Sequence, residues 1–232
     1  MGVSHKLVVG SDGSEAASLA ADEVARRVRH AVTKRGIATL AVSGGTTAAA
    51  LFDALCSADV PWPSLHIFQV DERVAANDDA DRNSATLTSH LTDRVGIPPD
   101  QVHLINVGTL SAGAAAQAYR FELRSYWTRK IDVVHLGLGD DGHTASLVPG
   151  DPVLDVQHWS VATTRSYKAR RRVTLTFPTI NRARHLVWLA TGSSKAVVVP
   201  RLLAQDASIP AGAVRPALTS TIYVDAAASA QV

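Results

Sequence analysis

Residues 136–149 read Leu-Gly-Leu-Gly-Asp-Asp-Gly-His-Thr-Ala-Ser-Leu-Val-Pro and follow an apolar run at 131–136. The run predicts a buried strand, and the glycines predict a tight turn in which the backbone comes close to a ligand. The turn presents Asp141 and His143, where we expect a short helix to begin. Because a histidine side chain titrates near neutral pH, His143 is a candidate for moving a proton.

The spacing Gly137-x-Gly139-x-x-Gly142 matches the dinucleotide-binding fingerprint, but its context does not. That fingerprint opens a full crossover helix and is followed about 20 residues later by an acidic residue at the end of the next strand. Here residues 149–152, Pro-Gly-Asp-Pro, stop any helix soon after the turn. The sequence therefore argues against a nicotinamide site.

Strands alternate with helices along the chain, which predicts a Rossmann-like, doubly wound α/β fold: a mainly parallel sheet with helices on both faces. The predicted strands lie at 6–9, 39–42, 65–70, 101–105, 131–138, 159–163, 173–177, 185–190 and 219–224. Residues 83–94 and 111–127 are among the predicted helices. Because no linker, internal repeat or low-complexity block divides the chain, we predict one domain over residues 1–232.

Composition narrows the possible partners and compartments. The 232 residues carry a formal net charge of only +2, which argues against a general electrostatic surface for nucleic acid. No segment approaches the roughly 18 apolar residues of a membrane span. The single cysteine, Cys56, has no partner for an internal disulfide, which favours a reducing compartment. We expect a cytoplasmic protein that binds neither nucleic acid nor membrane.

Three further loops follow predicted strands and carry polar groups. Residues 43–47, Ser-Gly-Gly-Thr-Thr, precede a helix, where free backbone N–H groups and the positive end of the helix dipole suit a phosphate. The alternative is a plain turn capped by Thr46 or Thr47. Residues 71–73, Asp-Glu-Arg, end a strand, and residues 191–195 repeat the strand-turn-helix pattern with a lysine. Because the carboxyl ends of parallel strands share one edge, we expect these loops to meet residues 140–143 in one pocket.

The most basic stretch of the chain, Arg-Ser-Tyr-Lys-Ala-Arg-Arg-Arg, lies at 165–172. Three interpretations remain open for it: a solvated loop, a clamp for a sugar phosphate, or a nucleic-acid contact. Its position between two predicted strands does not decide among them.

Together these segments resemble the 6-phosphogluconolactonase family, itself similar to the glucosamine-6-phosphate deaminases. The resemblance runs from about residue 14 to residue 224 and rests on residues 42–46, 70–73, 137–147 with Pro149, and 172–176, and on Gly192 with Lys195. It implies hydrolysis of 6-phospho-D-glucono-1,5-lactone to 6-phosphogluconate, the second step of the oxidative pentose phosphate pathway. It also implies no metal or organic cofactor, and a small sugar-phosphate lactone as the partner. We expect a monomer or a weak homo-oligomer.

Lactone hydrolysis needs a base for water, cationic or N–H groups for the developing oxyanion, and a grip on the distal phosphate. By resemblance, His143 is the base and Asp141 a partner that orients it. Arg73 holds negative charge, either the oxyanion or the phosphate, and Asp71 positions Arg73 or a substrate hydroxyl. The phosphate cradle is assigned to Ser43, Gly44, Gly45, Thr46 and Lys195, with Arg172 as a weaker candidate.

Two other functions remain open. One is an amino-sugar phosphate deaminase or isomerase, whose pattern resembles Asp-Glu-Tyr and has a glutamate before the proline of the histidine motif. This chain has Arg73 and Val148 at those positions, so the residue set for ring opening is incomplete. The other is a non-catalytic sugar-phosphate sensor, since related domains serve as effector modules of transcription regulators. The presence of Asp141, His143 and Arg73 argues against a sensor.

The chain departs from the lactonase pattern at three places. Ala75 and Ala76 stand where the family often has Val-Pro, and Val148 replaces a common phenylalanine. Residues 167–170, Tyr-Lys-Ala-Arg, replace the prolines that usually precede the Arg-x-Thr strand. All three departures lie next to the motifs that carry the predicted site.

Overall fold

The computed structural model describes residues 4–127 and 130–232. Its strands are β1 His5–Gly10, β2 Ala38–Val42, β3 Leu65–Gln69, β4 Asp71–Arg73, β5 Val102–His103, β6 Val133–Leu136, β7 Val161–Thr163, β8 Arg172–Leu175, β9 His185–Ala190 and β10 Thr219–Asp225. Its α-helices are α1 Gly13–Arg35, α2 Thr46–Ser57, α3 Asn83–Leu87, α4 Ala112–Trp127, α5 Phe177–Ile180, α6 Val198–Leu203 and α7 Pro210–Ala213. None of the helices in these two ranges is long and apolar enough to cross a membrane.

Seven strands form one parallel sheet in the order β1-β10-β9-β6-β2-β3-β5. The strand order reverses at β2: the chain first builds outward through β3 to β5, then returns to place β6 on the other side of β2. The predicted Rossmann-like, doubly wound fold is confirmed. In such a sheet the crevice for a ligand lies at the carboxyl ends of the two strands that flank the reversal.

Side chains of the central strands alternate between two apolar cores. Leu40 and Val42 pack with residues of α1 and α2 on one face of the sheet, whereas Ala41 packs with residues of α4 on the other face. This alternation is the period of two that an extended strand imposes. Because both faces are covered, every residue of β2 is buried, as expected for a central parallel strand.

A second, antiparallel sheet of three strands, in the order β4-β8-β7, was not predicted. Residues 71–73, expected to be a loop after a strand, are themselves the strand β4. Its pairing with β8 places Asp71 opposite Thr174 and Arg73 opposite Arg172. Because directly opposite residues of an antiparallel pair share one face, the two arginine side chains become neighbours.

Several local predictions differ from the structure. In the described part of the chain no helix begins at His143, and residues 140–148 form turns closed by a bridge between Thr144 and Leu147. Gly142 (φ 81°) and Ala145 (φ 51°) are left-handed, which a right-handed helix does not tolerate. The predicted helix at 83–94 is α3 followed by a wider π-helical turn over Thr88–Thr92. The predicted strand at 173–177 ends at Leu175, because Pro178 lies in the first turn of α5.

His135 in β6 is only 1% exposed, and neither ring nitrogen has a hydrogen-bond partner within the described ranges. Burial lowers the pKa of His135 to about 4, from an ordinary value of 6.5. Between these two pH values the unfolded chain binds a proton that the folded chain does not. The free energy of unfolding therefore falls as the pH drops from about 6.5 toward 4.

We predict that His135→Leu reduces this acid sensitivity. Between pH 7 and pH 5 the variant should lose roughly 2 kcal/mol less of its free energy of unfolding than the wild type, by proton linkage at one buried histidine. Urea unfolding at the two pH values measures the difference. His30→Leu, on the exposed side of α1, is the matched control and should keep the wild-type dependence. Equal acid sensitivity in His135→Leu and the wild type would contradict the prediction.

Candidate active site

A cavity of about 580 Å³ opens where the strand order reverses between β2 and β6. All four predicted loops contribute to its wall, as the shared carboxyl edge of the sheet requires. The predicted site residues in the wall are Ser43, Gly44, Gly45, Thr46, Asp71, Arg73, His143, Arg172 and Lys195. The structure thus brings together segments that are up to about 150 residues apart in the sequence.

His143 and Asp141 form a hydrogen-bonded pair. One carboxylate oxygen of Asp141, Oδ1, lies 2.5 Å from Nδ1 of His143 and also accepts the backbone N–H of His143 at 3.1 Å. This bond places the imidazole proton on Nδ1 and leaves Nε2 as the proton acceptor. Gly139 makes room for the ring, because a Cβ at that position would lie 2.0 Å from Nδ1.

The charge of Asp141 is stabilised by its partners. Burial raises the pKa of Asp141, but the hydrogen bonds from the side chain and backbone of His143 outweigh burial, so the pKa lies below its ordinary value. A third donor, the hydroxyl of Tyr167, meets the other carboxylate oxygen at 3.0 Å. Asp141 is therefore a carboxylate at neutral pH and is held at both oxygens.

The turn at 43–45 leads into α2, whose first residue is Thr46 and which no described side chain caps. Gly45 is left-handed, with a φ of 94°. The Ser43 hydroxyl donates to the His135 carbonyl at 3.2 Å, so the turn is fixed to β6. The N–H groups at the start of α2 and the positive end of its dipole are thereby placed beside the cavity, an arrangement suited to an anion.

Arg73 of β4 and Arg172 of β8 are directly opposite one another in the antiparallel pair, and both lie in the cavity wall. Arg73 donates to the Asp81 carbonyl at 2.5 Å, and Arg172 donates to the Ser146 hydroxyl at 3.5 Å. The Nε atoms of both arginines have no hydrogen-bond partner among the described residues. Because like charges opposite one another repel, the pair is suited to a ligand that carries negative charge.

Asp71 lies in the wall near these arginines and is only 4% exposed. It accepts hydrogen bonds from the Ser146 hydroxyl at 2.5 Å and from the Asn83 amide at 3.1 Å. Burial raises the pKa of Asp71, while Ser146 and Arg172 oppose that rise. These contacts fix the orientation of the carboxyl group at the edge of the cavity.

Lys195 belongs to the turn Ser193–Lys195, which follows β9 and the left-handed Gly192. Its ammonium group donates to the carboxylate of Asp140, and this bond holds the pKa of Asp140 below its ordinary value. The Ser194 hydroxyl donates to the same carboxylate at 3.1 Å. A phosphate at Lys195 therefore competes with Asp140 for the ammonium group.

Similarity to known proteins shows the family of the chain. The model of a family described as glucosamine-6-phosphate isomerases/6-phosphogluconolactonase matches residues 11–223. The chain belongs to this family. A 6-phosphogluconolactonase of Synechocystis sp. is 36% identical over 190 residues, 79% of each chain. One of Nostoc sp. is 30% identical over 220 residues, 91% of each chain.

A solved structure supports the same conclusion. The 6-phosphogluconolactonase from Thermotoga maritima superposes with a TM-score of 0.86 at 26% identity, covering 95% of this chain and 99% of that chain. Every residue named above in the cavity wall lies within the range that the family model matches.

Sequence reasoning missed several residues that hold the wall of this cavity in place. Glu72 is fully buried and accepts four hydrogen bonds, from the side chain of Gln69 and from the backbone N–H groups of Arg73, Asn83 and Ser84. The Asn83 side chain in turn donates to the carbonyl and the carboxylate of Asp71. The helix predicted at 83–94 begins with polar residues, which was the one sequence signal for these contacts. The sequence does not show which strand those polar residues contact.

We predict that Gly44→Ala disturbs the site through Asn83. A Cβ at Gly44 would lie 2.3 Å from the side-chain oxygen of Asn83, so the amide that holds Asp71 must move. We expect the free energy of unfolding to fall by about 1–3 kcal/mol, the usual cost of overpacking. Urea unfolding provides the measurement.

Gly113→Ala is the matched control, because a Cβ at Gly113 in α4 meets nothing within 4 Å. This change should leave stability unchanged or raise it by up to about 1 kcal/mol, since alanine favours a helix. Equal stability of Gly44→Ala and Gly113→Ala would contradict the prediction that a Cβ at Gly44 clashes with Asn83.

Proposed function

We propose that the protein is a 6-phosphogluconolactonase that hydrolyses 6-phospho-D-glucono-1,5-lactone to 6-phospho-D-gluconate. The observation that carries this proposal is the His143–Asp141 pair, with Nε2 free to accept a proton, in a cavity that also contains Arg73 and Arg172. The family of the chain and the relatives described above support it. A cationic cavity with a base suits an anionic ester substrate.

In the proposed mechanism, His143 acts as a general base through Nε2. A water molecule attacks the lactone carbonyl carbon while its proton passes to Nε2, and Asp141 stabilises the imidazolium through the bond at Nδ1. The tetrahedral intermediate then collapses, the bond from the carbonyl carbon to the ring oxygen breaks, and the imidazolium returns its proton to that oxygen. That proton transfer regenerates the base, and the carboxylic acid product then releases its own proton to solvent.

The remaining cavity residues are assigned to charge and position. We place the substrate phosphate at the turn of Ser43, Gly44, Gly45 and Thr46, with Lys195 and Arg172 as its cationic partners. Arg73 is assigned to the oxyanion, where a fixed positive charge contributes most to the rate. Asp71 accepts a substrate hydroxyl or orients Arg73, consistent with its buried position beside Asn83.

The deaminase alternative meets a specific obstacle. The deaminase pattern has a glutamate immediately before the proline of the histidine motif. Val148 occupies that position before Pro149 and is a buried apolar residue, only 7% exposed. It offers no group for the proton transfers of sugar-ring opening, whereas lactone hydrolysis requires none at this position.

The organisation of the chain enters the proposal as well. We infer one domain, because the two apolar cores share the single sheet that runs from β1 to β5. We place the enzyme in the cytoplasm, which suits a chain whose single cysteine, Cys56, is a free thiol. We also infer a monomer or a weak homo-oligomer.

The test is the rate of 6-phosphogluconate formation from freshly generated lactone, above spontaneous hydrolysis. We expect the wild type to accelerate the reaction and His143→Ala to lose at least ~100-fold, the lower range for a general base. His30→Ala, on the exposed side of α1, is the matched control and should retain wild-type activity.

Ammonia release from glucosamine 6-phosphate is measured in parallel. Folded wild type that releases ammonia but does not accelerate lactone hydrolysis would identify a deaminase. If the folded protein shows neither lactone hydrolysis nor ammonia release but binds the phosphosugar, it is a sensor.

A further inference from the structure

The hydroxyl of Tyr167 completes a chain of three side chains that ends at the candidate base. It donates to Oδ2 of Asp141 at 3.0 Å, while Oδ1 of the same carboxylate meets Nδ1 of His143 at 2.5 Å. We propose that Tyr167 is a positioning residue for the general base and acts on it through Asp141. This inference rests on the proposed lactonase function and adds a residue to its machinery.

The geometry gives Tyr167 control over both members of the pair. Because each oxygen of the Asp141 carboxylate is bound to a different donor, the carboxylate plane does not turn freely about its last bond. The Tyr167 ring also packs edge-on against the His143 ring, with centroids 5.4 Å apart and an interplanar angle of 64°. One side chain thus orients the imidazole directly and through the carboxylate.

The backbone that carries Tyr167 is held in an unusual conformation. Tyr167 and Arg170 exchange backbone hydrogen bonds of 2.9 and 3.2 Å across a tight turn. Both residues at its tip, Lys168 (φ 49°) and Ala169 (φ 62°), are left-handed although neither is glycine. Such a conformation is unfavourable for residues with a Cβ and persists only where other contacts enforce it.

Ion pairs anchor this turn to the loop that follows β4. The Arg170 guanidinium lies 2.8 Å from the Asp79 carboxylate and 3.3 Å from the Asp81 carboxylate. Asp81 and Lys168 are both part of the cavity wall. The strained turn is therefore fixed to the loop after β4, and the position of the Tyr167 hydroxyl follows from that attachment.

The Tyr167 hydroxyl is a neutral donor at neutral pH. Burial and the hydrogen bond to Asp141 raise the pKa of Tyr167 above its ordinary value. The Arg172 guanidinium lies 5.1 Å, and the Lys168 ammonium 5.4 Å, from the centre of the Tyr167 ring. The Arg172 guanidinium opposes that rise in the pKa of Tyr167, whereas the Asp140 carboxylate, which pairs with the Lys195 ammonium, adds to it.

A neutral hydroxyl that donates to Asp141 draws negative charge away from the oxygen that faces His143. Without that donor the carboxylate turns more freely. It also carries more negative charge on the oxygen that faces His143, so it stabilises the imidazolium more strongly. The imidazolium then gives its proton to the leaving ring oxygen more slowly. Loss of the hydroxyl should reduce kcat rather than substrate binding, because Tyr167 acts on the base.

Tyr167→Phe isolates the hydroxyl, because phenylalanine keeps the ring that Lys168, Arg172 and His143 contact. We expect kcat for lactone hydrolysis to fall roughly tenfold, a modest value for one hydrogen bond to a charged group, with KM changed by less than about twofold. The acid limb of the kcat/KM profile should move to higher pH by about half a unit. Tyr126→Phe is the matched control, because Tyr126 packs on His66 and Phe68.

A titration of the His143 ring by NMR, without substrate, separates this inference from the function itself. The midpoint should rise in Tyr167→Phe and stay unchanged in Tyr126→Phe, whether or not the wild type hydrolyses the lactone. In an Asp141→Asn background, Tyr167→Phe should cause no further loss of kcat. An unchanged midpoint, or a full additional loss on that background, would overturn the role of Tyr167; wild type without lactonase activity would overturn only the proposed function.

Discussion

Everything in the proposed site depends on the parallel pairing of β2 with β3 on one side and with β6 on the other. Leu40 lies opposite Val133, and Val42 lies opposite Gln69, so the carboxyl ends of the three strands share one edge. The Ser43 hydroxyl, one residue beyond β2, bonds to the carbonyl of His135 near the end of β6. Because the chain leaves these strands in different directions, a crevice opens between them, as it does at the reversal of any doubly wound sheet.

Buried polar groups then give that crevice a fixed shape. Glu72 is fully buried, and a carboxyl group in that position is tolerable only when its oxygens are well paired. Its four hydrogen bonds join β4 to the start of α3, and from there Asn83 orients Asp71. Pairing of β4 with β8 adds Arg172 beside Arg73. The proposed anion-binding groups are thus preorganised by contacts that do not involve the substrate, which is the condition for electrostatic catalysis.

Features of the fold and the site that depend on residues close together in the sequence could be predicted, whereas features that depend on distant contacts could not. The apolar runs of β2 and β6 and the glycines after them are local, so the fold and the convergence of four loops on one cavity were predicted correctly. The three-residue strand β4 is too short to show a period, and its partner β8 lies about 100 residues away, so the second sheet was missed. The adjacent Asp140 and Asp141 are alike in sequence, yet one pairs with Lys195 and the other with His143. The bond to His143 is local and was expected from the resemblance, whereas the bonds from Lys195 to Asp140 and from Tyr167 to Asp141 join residues far apart in the sequence and were not expected.

The most direct test of the account is a crystal structure of the protein with 6-phosphogluconate, the product, in the cavity. We predict that the phosphate binds at the turn of Ser43 to Thr46 and at Lys195, and that the product carboxylate lies beside His143 and Arg73. Asp140 should then have lost its bond to Lys195, because phosphate is the stronger partner for the ammonium group. A phosphate seated only on residues 165–172, or a product carboxylate remote from His143, would contradict the account.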